Sequence, residues 1–162
     1  MAELAEAVKN TLGSYYEEIG RAVHQWVDPL TSEQIWARPF GFQERSPADG
    51  NSVGHLLLHL TGNLHYYIGA QIAGTGYVRN RPLEFADATK KSKERVLADF
   101  DRTIAMVVDT IRKQKPEDWT KPYAAEREPE SKDRLTAVFR CAAHAYHHVG
   151  QMIYLSKELT RE

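Results

Sequence analysis

Cysteine is nearly absent. Cys141 is the only one in the chain, which rules out an intrachain disulfide and makes a reducing cytoplasm the expected setting. Long apolar runs are missing too, since no segment approaches the ~18 uninterrupted apolar residues of a membrane span. The opening Met1-Ala2-Glu3-Leu4-Ala5-Glu6 is acidic and polar, unlike a secretory signal. Neither sign of charge is in excess: 21 Lys+Arg stand against 22 Asp+Glu, a formal net charge of −1. That balance supplies no electrostatic drive toward nucleic acid or an anionic membrane. No phosphate-binding loop, dinucleotide glycine motif or Ser-His-Asp order occurs, so nucleotide chemistry has no support. No stretch alternates apolar and polar residues long enough to make a strand, and no repeat or low-complexity tract is present. What remains is 162 residues, 42% hydrophobic and 27% charged. They suffice for one domain, residues 1–162, with a core of its own.

Helical periodicity dominates. Leu4, Val8, Leu12, Tyr15/Tyr16, Ile19, Val23 and Trp26 recur at three- and four-residue steps and predict a helix over residues 2–27. Thr31 or Ser32 can cap a single turn ending before Pro39, and residues 38–50 read as a loop. A second helix is predicted from Asn51 or Ser52, both good caps, to about residue 73, ended by Gly74-Thr75-Gly76. A loop through Arg81-Pro82 leads to a third helix over about 89–113, with Val96, Leu97, Phe100, Ile104, Val107/Val108 and Ile111 as its apolar face. Residues 117–130, with Pro122 and Pro129, read as a polar surface loop. A fourth helix starts near Ser131 or Asp133 and runs to about 159. The expectation is all-α, a four-helix bundle with long connecting loops.

Histidine is the abundant exception: of seven, six fall in two clusters. His144 and His148 are four apart on the fourth helix, hence ~40° apart around its axis and ~6 Å along it, so that two imidazoles can converge on one ion. A third ligand must come from another helix, and the second offers His55 and His59, again four apart. Periodicity leaves these two tied, although Leu56, Leu57, Leu58 and Leu60 place His59 deep in packed structure. Two such pairs on separate helices favour a metal over two satisfied core histidines. Position 145 is Ala, so the HExxH arrangement of zinc proteases is absent.

The string His144-Ala145-Tyr146-His147-His148-Val149-Gly150-Gln151, continued by Met152-Ile153-Tyr154-Leu155, resembles the last helix of the DinB/YfiT-like superfamily. Asn51-Ser52-Val53-Gly54-His55-Leu56-Leu57-Leu58-His59-Leu60 resembles its second helix, and Leu30-Thr31-Ser32-Glu33-Gln34-Ile35-Trp36-Ala37-Arg38-Pro39 its linker. The similarity covers nearly the whole chain in the same order. It implies a DinB/YfiT-type bundle of four helices with a divalent metal held by His59, His144 and His148, favouring His59 over His55. His55, Asn63 and Gln151 are then candidates for supporting positions around the ligands. His147 and His65 point elsewhere on their helices, Cys141 reads as a buried inert thiol, and Gly62 and Gly150 as points of close helix approach.

Three imidazoles suit zinc, nickel, iron or copper, with zinc or nickel first and iron next in this reading. Such a site can activate water, giving hydrolysis, or a low-molecular-weight thiol, giving transfer or thiol-assisted isomerisation of a small-molecule substrate. Relatives in the superfamily include thiol-dependent transferases and isomerases, so the resemblance puts the thiol route first. No residue is singled out as a catalytic acid or base. A non-catalytic metal-binding or stress-related bundle is the competing reading, favoured if His55 is a fourth ligand. A metal-free bundle remains if the histidines face solvent or pair with carboxylates. A homodimer is expected, and Trp26, Trp36 and Phe40 are compatible with its interface.

Overall fold

Each long helix after the first begins where a short polar side chain can accept a hydrogen bond from an unpaired backbone N–H of the first turn. In the computed structural model, which describes residues 2–39, 51–86, 90–126 and 130–161, five α-helices are found: α1 (Ala2–Val27), α2 (Val53–Leu64), α3 (Arg81–Ala86), α4 (Lys93–Arg112) and α5 (Arg134–Leu159). Ser52 accepts from the His55 backbone N–H at 3.3 Å to start α2. Ser92 does the same for Arg95 at α4 at 3.3 Å, and Asp133 for Thr136 at α5 at 2.7 Å. The single turn Gln34–Trp36 is held by Thr31, whose hydroxyl accepts from the Gln34 N–H at 3.1 Å. No strand occurs among the described residues; an isolated bridge joins Pro122 and Asp133.

α1 packs against α4 and α5, and α2 packs against the same two helices. α2 is buried almost all round, through Val53, Leu56, Leu57, Leu60 and Leu64. It is the helix with fewest charged side chains, which is why it can sit in the core at little desolvation cost. Tyr16 is fully buried and donates its hydroxyl to the Val138 carbonyl at 2.8 Å, tying α1 to α5. At the start of α2, Gly54 makes room for Trp36: a Cβ there would lie 2.6 Å from its ring.

Several expectations are corrected. The connection after α2 is not all loop, for Arg81–Ala86 forms α3, which tolerates Pro82 because a first-turn residue has no helical N–H bond to lose. The third long helix begins at Lys93, four residues after Thr89, which lies outside the described residues, as do 40–50, Phe40 and Pro129. The stretch 117–130 is not purely surface: Trp119 and Tyr123 are buried, and the Tyr123 hydroxyl donates to the Tyr67 carbonyl at 3.0 Å. Leu4, placed on an apolar stripe by spacing, is exposed, and so is Phe139 beside buried Val138 on α5. The second helix continues past Leu64 as predicted, but as a π-helical turn, His65–Ala70, in which Tyr67 and Ile68 are buried. Gly74 and Gly76 then end it with φ of 69° and 72°, a region costly for residues with a Cβ.

The Tyr16 contact gives a check on the packing. Tyr16→Phe keeps the ring and removes one buried hydrogen bond, so it should lower unfolding stability by about 1 kcal/mol in urea titration with helix content unchanged.

Candidate metal centre

α5 carries His144 and His148 one turn apart, and α2 packs alongside with His59 on the facing side. Ring centroids lie 5.2 Å apart for His59–His144, 5.0 Å for His59–His148 and 4.5 Å for His144–His148. One ligand nitrogen from each lies within 4.8 Å of the others, close enough for all three to hold a single metal ion. His59 and His148 are buried and His144 is half-buried.

The hydrogen bonds decide which nitrogen each ring presents. His59 Nδ1 lies 2.8 Å from Glu84 Oε2. A carboxylate only accepts, so Nδ1 carries the proton and Nε2 keeps its lone pair. That Nε2 faces His144 Nε2 at 3.0 Å. His148 Nδ1 lies 2.7 Å from the Gln151 amide oxygen, which likewise sets the proton on Nδ1. His148 Nε2 is buried and has no hydrogen-bond partner. A buried imidazole nitrogen without a partner is costly unless something binds it, and here it sits among two other imidazoles. This donor set fits a divalent ion. The carboxylate on His59 is the outer partner that metal-ligating histidines usually have; it does not use up the nitrogen facing the other rings.

Glu84 is held in turn by Arg79, whose Nε and Nη2 donate to its two oxygens at 2.6 and 2.8 Å. Burial opposes ionisation of Glu84, but the hydrogen bonds from Arg79 and His59 outweigh it and hold the carboxyl below its ordinary range. Burial and the neighbouring imidazoles act the other way on the other two ligands. They push His144 down to about 3, and burial first, with its imidazole neighbours, pushes His148 down to about 4. Both rings are neutral at physiological pH, the state a metal requires.

Of the supporting candidates, Gln151 contacts His148 as described, and its amide nitrogen donates to His147 Nε2 at 3.2 Å. His147 is on the exposed side of α5. His55 is buried near the start of α2, with Nδ1 2.8 Å from the Ser52 hydroxyl and its ring edge-on to Trp36, and it is not among the grouped donors. Asn63 and Cys141 line, with Tyr67, Arg140 and His144, a pocket of about 280 Å3. His65 stacks on Tyr77 with centroids 5.0 Å apart. Gly62 does permit a close approach: a Cβ there would collide with the Glu84 carboxylate. Gly150 does not, because nothing lies within 4 Å of where its Cβ would be.

Glu84, Arg79 and Phe85, whose ring lies 5.0 Å from His59, escaped the sequence reading. They come from a segment read as loop, and nothing in their spacing marks them. The one available signal was Gly62, a glycine one turn after His59 inside an apolar helix.

An all-helical protein with three imidazoles grouped between two of its long helices is the class that fold and site define. The chain belongs to the family described as Protein of unknown function (DUF1572), which it matches over residues 3–162. Neither a curated protein nor a solved structure matches it.

The lowered pKa values of His144 and His148 have a consequence for stability. Below the ordinary histidine value of ~6.5 the unfolded chain binds protons on these side chains that the folded chain refuses. Their contribution is therefore fully present above that pH and is lost as pH falls toward about 4 for His148 and about 3 for His144. The thermal midpoint of metal-free protein should fall from pH 7 to pH 5, and less steeply in His144→Gln; parallel slopes for the two proteins would contradict it.

Proposed function

We propose that the protein is a metal-dependent enzyme of DinB/YfiT type in which His59, His144 and His148 hold one divalent ion, zinc, nickel or iron, beside a small-molecule pocket. The observation that carries this is the buried convergence of the three rings, two with Nδ1 committed outward to Glu84 and Gln151 and one with an Nε2 that lacks any partner. When bound, the ion supplies Lewis acidity that lowers the pKa of water or of a thiol and so provides a nucleophile at neutral pH. The chain's own residues do the rest. Arg79 keeps Glu84 ionised, Glu84 fixes the tautomer and plane of His59, and Gln151 does the same for His148. Burial keeps bulk water from competing for the imidazole nitrogens.

The resemblance of the His144–Leu155 and Asn51–Leu60 strings to the DinB/YfiT-like superfamily favours transfer of a low-molecular-weight thiol, or thiol-dependent isomerisation, over hydrolysis. A purely structural metal site usually fills its shell with four protein donors. His55, the candidate fourth, is engaged by Ser52, which favours an enzyme over a non-catalytic bundle. We carry a cytoplasmic homodimer with this reading. No helix among the described residues is long and apolar enough to cross a membrane.

Elemental analysis of untagged protein purified without chelator should find near one divalent ion per chain and none in His144→Ala. Protein that neither carries nor takes up zinc or nickel would end the proposal. Glu84→Gln, which withdraws the carboxylate from His59, should weaken metal affinity by about 10–100-fold without changing stoichiometry. Thiol consumption against a panel of electrophiles should require both the metal and His59; consumption indifferent to either would remove the transferase reading.

A further inference from the structure

We infer that a second cavity, away from the three imidazoles, binds a small zwitterion with an aromatic or large apolar side chain, of the kind a free amino acid presents. Arg81 takes its carboxylate, Glu126 its ammonium, and tyrosine rings its side chain. The cavity measures about 450 Å3, and its wall includes Tyr66, Tyr67, Tyr77, Arg79, Arg81 and Glu126. Tyr66 and Tyr67 come from the π-helical turn His65–Ala70, and Glu126 from the end of the 117–126 stretch. Such a volume is that of an ordinary small-molecule site and too small for a folded partner. None of the three grouped histidines lines it, so the inference goes beyond the metal-centre reading and does not require it.

The wall is held together by contacts of its own. Tyr66 and Tyr67 pack edge to face with centroids 4.9 Å apart, and Tyr77 is stacked on His65 at 5.0 Å. The Tyr67 carbonyl receives the Tyr123 hydroxyl at 3.0 Å, which fixes the stretch that ends in Glu126. Rings positioned by one another lose little freedom when a ligand arrives, and their faces and edges suit an aromatic or apolar group. The charges of the wall select the polar ends. Arg79 gives its Nε and Nη2 to Glu84 at 2.6 and 2.8 Å, so its charge is already compensated. Arg81 lies over the Phe85 ring at 5.2 Å and forms no ion pair among the described residues. Glu126 is exposed and, among the described residues, forms none either. One cation and one anion are thus left for a ligand in the same wall. A singly charged ligand satisfies one of them and meets the other as a like charge, whereas a zwitterion matches both. The planar fork of Arg81 also fits a carboxylate with two parallel hydrogen bonds.

The test is an amide NMR titration of isotope-labelled full-length protein with phenylalanine, hydrocinnamate and phenethylamine. The three share a phenylethyl group and carry both charges, the carboxylate alone or the ammonium alone. Phenylalanine should bind at least about fivefold tighter than either of the others, the fold-change that one exposed ion pair can reach. The shifts should centre on residues 77–82, which line the cavity. In Arg81→Gln the affinity for phenylalanine should fall to within about twofold of that for phenethylamine, and in Glu126→Gln to within about twofold of that for hydrocinnamate. Both side chains are exposed, so the thermal midpoint of either variant should match wild type. Treatment with a chelator should leave all three affinities unchanged, which separates this site from the metal centre. Absence of shifts at millimolar phenylalanine, shifts centred elsewhere, or equal affinity of the three ligands overturns the site, whatever the metal analysis finds. A preference for phenylalanine that survives either substitution overturns the assignment of its two charged ends.

Discussion

The Glu84 carboxylate is the group on which the candidate site depends. It is buried, and it accepts hydrogen bonds from Arg79 through both oxygens and from His59 through one. A buried carboxylate is tolerated only when its charge is matched and its lone pairs are used. Removing one partner of such a group typically costs about 3–5 kcal/mol, because the other is left charged and unpaired. The same atoms therefore hold a short helix in place and set the orientation of a ligand histidine. α3 spans Arg81–Ala86, far too short to persist on local propensity. Its attachment to α2 passes through Glu84 and through the space left by Gly62.

Around that carboxylate, the structure sets polar groups against an otherwise apolar core and compensates each in a different way. Glu84 is ionised and paired, whereas His144 and His148 are kept neutral by burial and by neighbouring imidazoles. Gln151 is satisfied at both ends of its amide, by His148 and His147. Among the described residues, Nε2 of His148 and Oδ1 of Asn63 are buried without a hydrogen-bond partner. Polar groups left unsatisfied in a core are rare, and departures from local consistency gather at functional sites. His148 belongs to the grouped imidazoles and Asn63 to the lining of the adjoining pocket.

The π-helical turn after α2 belongs to the same arrangement. Tyr67 is buried within the turn His65–Ala70, and its carbonyl receives the Tyr123 hydroxyl. This anchors the 117–126 stretch, read from composition as a surface loop, against α2. It also sets the Tyr67 ring in the pocket wall beside Asn63. Spacing along the chain does not show the π turn, because three- and four-residue steps place Tyr67 and Ile68 on the Leu64 face in an unbroken α-helix as well.

Local rules determined a good deal by themselves. The all-helical class, the caps Ser52 and Asp133 as one of two candidates at each helix start, the glycine stop at Gly74 and Gly76, and most of the inward faces of α1 and α4 follow from periodicity and from backbone groups that need partners within a turn. The pairing of His144 with His148 is of the same kind, because four residues along a helix is a fixed distance. Spacing alone left His55 and His59 tied: both are buried, and four-residue spacing places them on one face. The resemblance favoured His59, and packing shows the physical difference, bringing His59 to α5 while Ser52 and Trp36 took His55. Leu4 shares the spacing of core residues yet lies exposed, since a stripe extends past the surface available to cover it. Glu84 and Arg79 had no sequence signature, because a carboxylate 25 residues from the histidine it serves is brought there by the path of the chain. Contacts within a helical turn are set by bond geometry and can be read in one dimension; contacts between α2, α3 and α5 exist only once the whole core has closed.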